Sequence, residues 1–210
     1  MSDNPFKKLL TTQLQKNNMT LSDSQIDQLA RYLLLMQTWN RVFNLTTITD
    51  PHEMVMLHII DSLSVQPYLT GKHFLDIGTG AGLPGIPLAI TNPEQQWVLL
   101  DKNNKKTRFL TQVVAELGLT NVKVANGRGE DFHHGHCFDS ILSRAFGTLS
   151  LFIETTEHVL CPQGTFIAMK GKYPEEELSA LPERFNVQVV RLTIKGMDIE
   201  RHAVLIKKTG

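Results

Sequence analysis

The chain predicts an α/β fold: a seven-stranded, mostly parallel sheet with an antiparallel last strand, plus an N-terminal helical appendage. Three observations predict it. From Gly71 onward, short apolar runs alternate with helix-length segments, the pattern of a parallel sheet covered on both faces. Residues 1–70 instead carry helical periodicity, which sets a helical region over 1–70 and a second domain over 71–210. The last two apolar runs are joined only by a short connection containing Gly196, so they pair as an antiparallel hairpin.

In the helical region, Pro5 to Asn17 places Phe6, Leu9, Leu10 and Leu14 on one face. Ser22-Asp23-Ser24-Gln25 has the form of a capping box, and behind it Ile26, Leu29, Leu33 and Met36 keep helical spacing. Asp50-Pro51 opens another helix, with Asp as cap and Pro in the first turn. On that helix His58 and Asp61 share a face, which suits a histidine bonded to its neighbouring carboxylate, a proton relay or an RNA contact. Strands are predicted at 73–77, 96–100, 122–125, 138–142, 165–169, 187–194 and 202–207. Helices are predicted near 84–91, 103–117, 148–160 and 174–181.

The bulk properties narrow the class. With 210 residues and 41% hydrophobic content the chain can bury one sizeable core. It has no bilayer-length apolar run and no signal-like N-terminus, so a cytoplasmic protein is expected. Cys137 and Cys161 have no metal-ligand spacing and read as reduced thiols in or near the core. His52-Glu53-Met54 begins like a zinc-protease signature but lacks its second histidine, and His133, His134 and His136 read as a solvated turn; no metal is expected. The charge balance, 21 basic against 21 acidic residues, argues against indiscriminate nucleic-acid binding while leaving room for a local basic patch.

The informative stretch is His73 to Gly85. A buried strand, Phe74-Leu-Asp76-Ile77, runs into glycine at every second residue, Gly78, Gly80 and Gly82. A strand feeding such a turn into a helix brings bare backbone and helix N–H groups against a ligand. The window Gly80-Ala-Gly82-Leu-Pro-Gly85 formally satisfies a dinucleotide pattern, with Asp101 as ribose acceptor, so a nicotinamide-dependent oxidoreductase stays open as an alternative. Asp76, however, would repel a pyrophosphate in the same turn. S-adenosylmethionine has no phosphate and carries positive charge on its ammonium and sulfur, so a carboxylate there favours it. Asp101, closing the run Trp97-Val-Leu-Leu100, then receives the ribose hydroxyls or caps the helix near Asn103.

Ligands of open α/β sheets sit beyond the carboxyl ends of the strands. After the third strand comes Asn126-Gly-Arg128-Gly129-Glu130-Asp131, where backbone and carboxylate can meet an adenine edge. After the fourth comes Ser143-Arg144-Ala-Phe146, without the Asn/Asp-Pro-Pro-aromatic segment that serves exocyclic amines. No cysteine is placed as a nucleophile for pyrimidine carbon five. These absences fit an acceptor atom that needs no deprotonation. Arg144 is the candidate to hold cofactor or substrate, or else it pairs with Asp139 or Glu130. No general base is expected; Arg128, Arg144 and Lys170 are the candidate positioning residues. Lys102, Lys105, Lys106, Arg108, Lys172, Lys195 and Arg201 could complete a positive rim or an exposed face.

Asp76-Ile-Gly-Thr-Gly-Ala-Gly-Leu-Pro-Gly-Ile-Pro-Leu-Ala-Ile90 resembles the first motif of the glucose-inhibited division protein B family, also called RsmG. Asn44-Leu-Thr46, His58-Ile-Ile-Asp61-Ser62, Asp101 with Lys106 and Phe109-Leu110, Ser143–Phe146, Met169-Lys-Gly171 and Glu200-Arg-His202 follow in family order. The resemblance implies a Rossmann-like class I methyltransferase domain over 71–210. It implies cofactor binding by Asp76, Gly78, Gly80, Gly82, Leu83, Asp101, Gly129, Glu130 and Arg144. It further implies methylation of N7 of one guanine, position 527, in 16S rRNA. The partner would be that rRNA, within the small ribosomal subunit or an assembly intermediate, and the enzyme a monomer. A cofactor-binding scaffold without turnover is the remaining rival.

Overall fold

The computed structural model describes residues 4–209. Its strands are β1 (His73–Ile77), β2 (Gln96–Asp101), β3 (Val122–Asn126), β4 (Phe138–Arg144), β5 (Leu160–Lys170), β6 (Phe185–Arg191) and β7 (His202–Lys208). They form one sheet in the order β3-β2-β1-β4-β5-β7-β6. β1 to β5 pair in parallel, whereas β7 enters between β5 and β6 and runs antiparallel to both. The order reverses at β1, whose neighbours are β2 and β4, so the ligand crevice of such a sheet falls beyond the ends of these strands.

Most expected elements are present within a few residues. β6 stops at Arg191, three residues short of the expected end, because Leu192 and Ile194 leave the ladder to bury in the core. Their alternation reads as strand, but the last backbone tie is Leu192 N–H to the Arg201 carbonyl (2.7 Å), and the ladder does not continue to Ile194. β5 begins at Leu160, inside what the apolar pattern marks as helix; the helix itself, α7 (Leu149–Thr156), ends in a short 3-10 turn over Glu157–Val159. Cys137 and Cys161 overturn the reading as reduced thiols: they form a disulfide with Cα atoms 4.9 Å apart. The pairing Phe138↔Leu160 in the β4–β5 ladder brings their neighbours together, and that adjacency of strands is not visible at a separation of 24 residues.

The remaining helices are α1 (Pro5–Lys16), α2 (Asp23–Phe43), α3 (Pro51–Met54), α4 (Asp61–Leu63), α5 (Gly85–Thr91), α6 (Asn104–Leu117) and α8 (Glu175–Ser179). The capping box at Ser22–Gln25 and the Asp50 cap both form. Two apolar clusters flank the sheet. One joins Phe6, Leu10, Leu33 and Met36 of α1 and α2 to Phe74, Ile86, Leu99 and Phe109; the other packs Phe152 of α7 against Leu75, Ile141 and Phe166. Period-two alternation along β1 therefore puts Asp76 on the face of Phe74, toward α5 and the N-terminal helices.

Between α3 and α4 the backbone continues without a break as a π-helical stretch, Val55–Ile60. A π turn widens the helix by one residue, so His58 and Asp61 do not meet as α-helical spacing predicts. His58 Nε2 lies 3.2 Å from Thr46 Oγ1. Asp61 instead accepts from two arginines: Arg144 Nη1 at the end of β4 (3.2 Å) and Arg201 Nε beside β7 (2.9 Å). The carboxylate is buried, with its side chain 2% exposed, while the Arg144 and Arg201 side chains are 22% and 24% exposed. This clasp ties the helical rod to two strand ends. Asp61→Ala strands both arginines and lowers stability by about 3 kcal/mol, the low end for a broken buried pair because both cations can still hydrate; chemical denaturation with unchanged slope measures it.

Candidate active site

The glycine loop is shaped from behind by Asp76. Its Oδ2 accepts the Thr79 hydroxyl (2.6 Å) and the Gly85 N–H (2.8 Å), fastening the loop to the start of α5. Gly85 has no room for a side chain: a Cβ would lie 2.3 Å from Leu99 Cδ2 and 2.7 Å from that same Oδ2. Gly82 and Leu83 both donate to the Thr79 carbonyl, and Gly80 holds φ +63, a value that L side chains rarely adopt. Asp76 is fully buried, and burial pushes its carboxyl up to about 7 despite the two hydrogen bonds. The sequence places this carboxylate against the positive end of the ligand, but its bonded oxygen holds the loop and it does not line the cleft. Its Oδ1 is buried without a partner.

In front of the loop lies a cleft of about 360 Å³. Gly78, Asp101, Arg128, Gly129 and Glu130 line it, as the strand-end argument expects. Gly80, Gly82 and Leu83 are absent from the lining and act by setting the course of the backbone. Asp101 does two jobs: Oδ2 accepts the Gly80 N–H (2.9 Å) and Oδ1 the Asn103 N–H (2.8 Å). It organises both the loop and the turn into α6 while still facing the cleft. Gly129 sits so close to Ile77 and Thr155 that a Cβ would lie 2.5 and 2.3 Å from their methyl carbons. Asn103, Leu151 and Thr155 also line the cleft. Asn103 is legible only as a helix start, and Leu151 and Thr155 reach it from α7 by packing that no local motif announces. Phe146 crosses over Gly78, where a Cβ would meet its ring at 2.7 Å.

A second pocket, of about 410 Å³, shares Ala145 with the cleft. His58, Asp61, Arg144, Lys170, Gly171 and Arg201 contribute to it. Arg144 does not pair with Asp139 or Glu130; besides Asp61 it donates to the Leu57 carbonyl (2.7 Å). Lys170 donates to both oxygens of Glu177 (2.9 and 2.8 Å) and to the Gly147 carbonyl (2.7 Å), so its charge is neutralised by α8. Basic residues thus divide between the two spaces: Lys102, Lys106 and Arg128 at the cleft, and Arg144, Lys170 and Arg201 at the pocket. Among the described residues no group of three or more His, Cys, Asp or Glu side chains could hold a metal ion.

The residues fit S-adenosylmethionine. An acceptor carboxylate, Asp101, faces the cleft, and Asp76 behind the loop adds a second carboxyl whose Oδ1 is without a partner. Sheet order, glycine loop and carboxylate after β2 define a class I S-adenosylmethionine-dependent methyltransferase. A methyltransferase of this cofactor from Aquifex aeolicus shares the fold, with TM-score 0.57 at 16% identity over 78% of this chain and 96% of that one. The profile described as GidB, rRNA small subunit methyltransferase G, matches residues 25–204, and the chain belongs to that family. A relative from Escherichia coli named ribosomal RNA small subunit methyltransferase G is 45% identical over 94% of this chain and 96% of its own. One of the same name from Pasteurella multocida is 44% identical over 92% of this chain and 93% of its own. Family membership leaves the nicotinamide alternative without support.

Two outcomes follow from this geometry. Asp101→Ala removes a carboxylate that lines the cleft and two loop anchors, and is expected to weaken S-adenosylmethionine by roughly 1.5–3 kcal/mol in calorimetry. For Asp76 the folded carboxyl titrates about 7, above its unfolded value of about 4. The proton therefore favours the folded state: this contribution is full below about pH 4 and is lost as pH climbs through 7. Asp76→Asn does not titrate, so its stability relative to the wild type shifts in its favour between pH 4.5 and 7.5 in urea denaturation.

Proposed function

We propose that this protein transfers the methyl group of S-adenosylmethionine to N7 of a guanine in 16S rRNA, at position 527, with the base seated in the pocket beside the cofactor cleft. The observation that carries this reading is the shared wall at Ala145, which opens a base-sized, arginine-lined space directly next to the cofactor cleft. The bound cofactor supplies an electrophilic methyl on a sulfonium. The chain supplies alignment: Asp101 and the glycine loop hold one reactant, Arg144 and Arg201 border the other, and Phe146 walls the cleft. Guanine N7 carries its own lone pair, so the work of the site is near-attack positioning and exclusion of water.

The pocket continues past Ile48 into a groove of about 920 Å³ lined by Asn40, Arg41, Asn44, Thr47 and Thr49. Amides and hydroxyls of this kind suit the ribose and base edges of RNA flanking an extruded nucleotide. The helical region over 1–70 would then carry RNA recognition and the domain over 71–210 the transfer. We place the enzyme in the cytoplasm, acting as a monomer on the small ribosomal subunit or its assembly intermediate. No helix among the described residues is long and apolar enough to cross a membrane. Incubation of labelled S-adenosylmethionine with undermodified small subunits, followed by mapping of the methyl group, tests the reading; label elsewhere than at guanine N7 overturns it.

Burial, aided by the nearby Arg144 charge, lowers the His58 imidazole to about 4, so it stays neutral across the working range. The single-turnover transfer rate at saturating cofactor and RNA is therefore nearly flat from about pH 6 to 9, where a histidine base would titrate. Because His58 is already neutral there, its replacement is the discriminating arm: His58→Gln keeps the flat profile and loses only binding or stability, and abolition of transfer in His58→Gln with cofactor and RNA affinity intact would mean that the acceptor needs deprotonation.

A further inference from the structure

Six large apolar side chains lie exposed among the described residues: Leu34, Val42, Phe43, Leu151, Tyr173 and Ile199. All but Leu34, midway along α2, gather at the active end of the sheet. Leu151 lines the cofactor cleft. Tyr173 follows the end of β5, and Ile199 precedes the start of β7, where Lys170 pairs with His202. α2 runs against α6: Gln28 and Arg31 donate to the Leu117 and Glu116 carbonyls at the close of α6, whereas Trp39 meets the Phe109 ring (5.5 Å) nearer its start. Val42 and Phe43 therefore arrive level with the start of α6, where the chain has just left Asp101. Exposed apolar groups are ordinarily scattered singly, and their concentration around one opening marks a contact surface.

The two aromatic members, Phe43 and Tyr173, 39% and 55% exposed, stand in similar settings. Exposed Arg41 lies two residues before Phe43, and exposed Lys172 directly before Tyr173. Neither cation makes an ion pair among the described residues. A second ring supports each aromatic: Trp39 lies 4.9 Å from Phe43, and His202 meets Tyr173 near the perpendicular at 5.8 Å. The two rings are thus held before anything binds and lose little freedom on contact. Both adjoin the spaces assigned above to RNA. Arg41 and Asn44, neighbours of Phe43 in the chain, line the groove, and Gly171, two residues from Tyr173, lines the base pocket.

We propose that Phe43 and Tyr173 are stacking platforms for the two bases next to the target guanine, one ring per neighbour, with Arg41 and Lys172 meeting the phosphates of those nucleotides. The inference rests on the assignment of the pocket and groove to RNA. Cations interleaved with exposed rings are the chemistry that holds unpaired nucleic acid, because every base offers a π face and an unstacked strand leaves that face free. Unpaired positive charge beside each ring favours a polyanion over an apolar protein partner. Stacked neighbours would hold the strand open and keep the guanine extruded into its pocket, replacing the stacking that the guanine itself gave up.

The test is a cycle between the two rings and the two flanking bases, read as kcat/KM. Small subunits are reconstituted with the base before or after the target guanine removed, leaving an abasic ribose. The wild-type enzyme loses about tenfold on each abasic substrate, within the range for one base–aromatic stack. Tyr173→Ala loses about tenfold on intact subunits, mainly in KM, and loses nothing further when its partner base is absent. Phe43→Ala behaves in the same way toward the other base; Tyr173, the more exposed, carries the test alone if Phe43→Ala does not fold. Tyr173→Trp and Phe43→Tyr keep the activity on intact subunits, whereas Tyr173→Leu and Phe43→Leu, apolar but without a ring, do not. Arg41→Gln and Lys172→Gln each lower the slope of log affinity against log salt by about 0.7, the value for one phosphate of a single strand. If the Ala variants lose as much on abasic as on intact subunits, or if Leu serves as well as a ring, the rim docks a protein of the subunit and the proposal is overturned. Mapping the methyl group in each arm separates the two readings. Label away from guanine N7 fells the pocket assignment and this inference with it; label at guanine N7, with no coupling between ring and flanking base, fells this inference alone.

Discussion

Everything at the active end of the sheet hangs on one buried oxygen. Asp76 Oδ2, at the end of the central strand, gathers the Thr79 hydroxyl and the Gly85 N–H, and so bends the chain from β1 into α5 around itself. From that bend follow the carbonyl of Thr79 accepting Gly82 and Leu83, the φ of Gly80, and the Gly80 N–H meeting Asp101. The two carboxylates work from opposite sides of one loop, the first hidden behind it and the second facing the cleft. The tie also explains why Gly85 must be glycine: Asp76 and Leu99 occupy the space that its side chain would need.

The alternation of apolar runs was enough to read the sheet, because the inner parallel strands β1, β2, β4 and β5 are largely buried on both faces and show it, while the edge strand β3 leaves Lys123 exposed. Caps were equally legible: Ser22 and Asp50 announce helices with local chemistry alone. What the chain hid lay in pairings across the fold. Asp76 looks like a ligand group in one dimension and is a loop anchor in three. Lys170 looks like a free cation until α8 brings Glu177 to it. Cys137 and Cys161 need the β4–β5 register before they can meet. The His58–Asp61 pair fails for a different reason, since helical periodicity assumes 3.6 residues per turn and a π segment does not keep it. Thr46 and Asn103 were visible residues whose bonds were not.

A chain with no net charge that handles polyanionic RNA must keep its cations local. Here it does so by giving Arg144 and Arg201 a shared counter-ion in Asp61, and Lys170 its own in Glu177. Such cations contribute little long-range attraction, but their hydrogen-bonding directions are held by the carboxylates. The pocket is therefore built for orientation more than for capture. Affinity for the RNA must come from a broader surface, and the amide- and hydroxyl-lined groove beyond Ile48 lies next to it.

The place of β7 has a consequence for how the protein comes into being. β6 pairs with β7 and with no other strand, and β7 alone connects it to β5. While the chain is being synthesised, strands β1 to β5 can align in order as they emerge, and with them the cofactor cleft. β6 then waits unpaired, and one side of β5 stays bare, until residues 202–208 arrive; the same late segment delivers Arg201 to Asp61. The residues of the cleft thus precede β6 in the chain, whereas the second pocket is complete only with Arg201. The step that seals the sheet is thus also the one that brings Arg201 to Asp61 and closes the pocket beside the cleft.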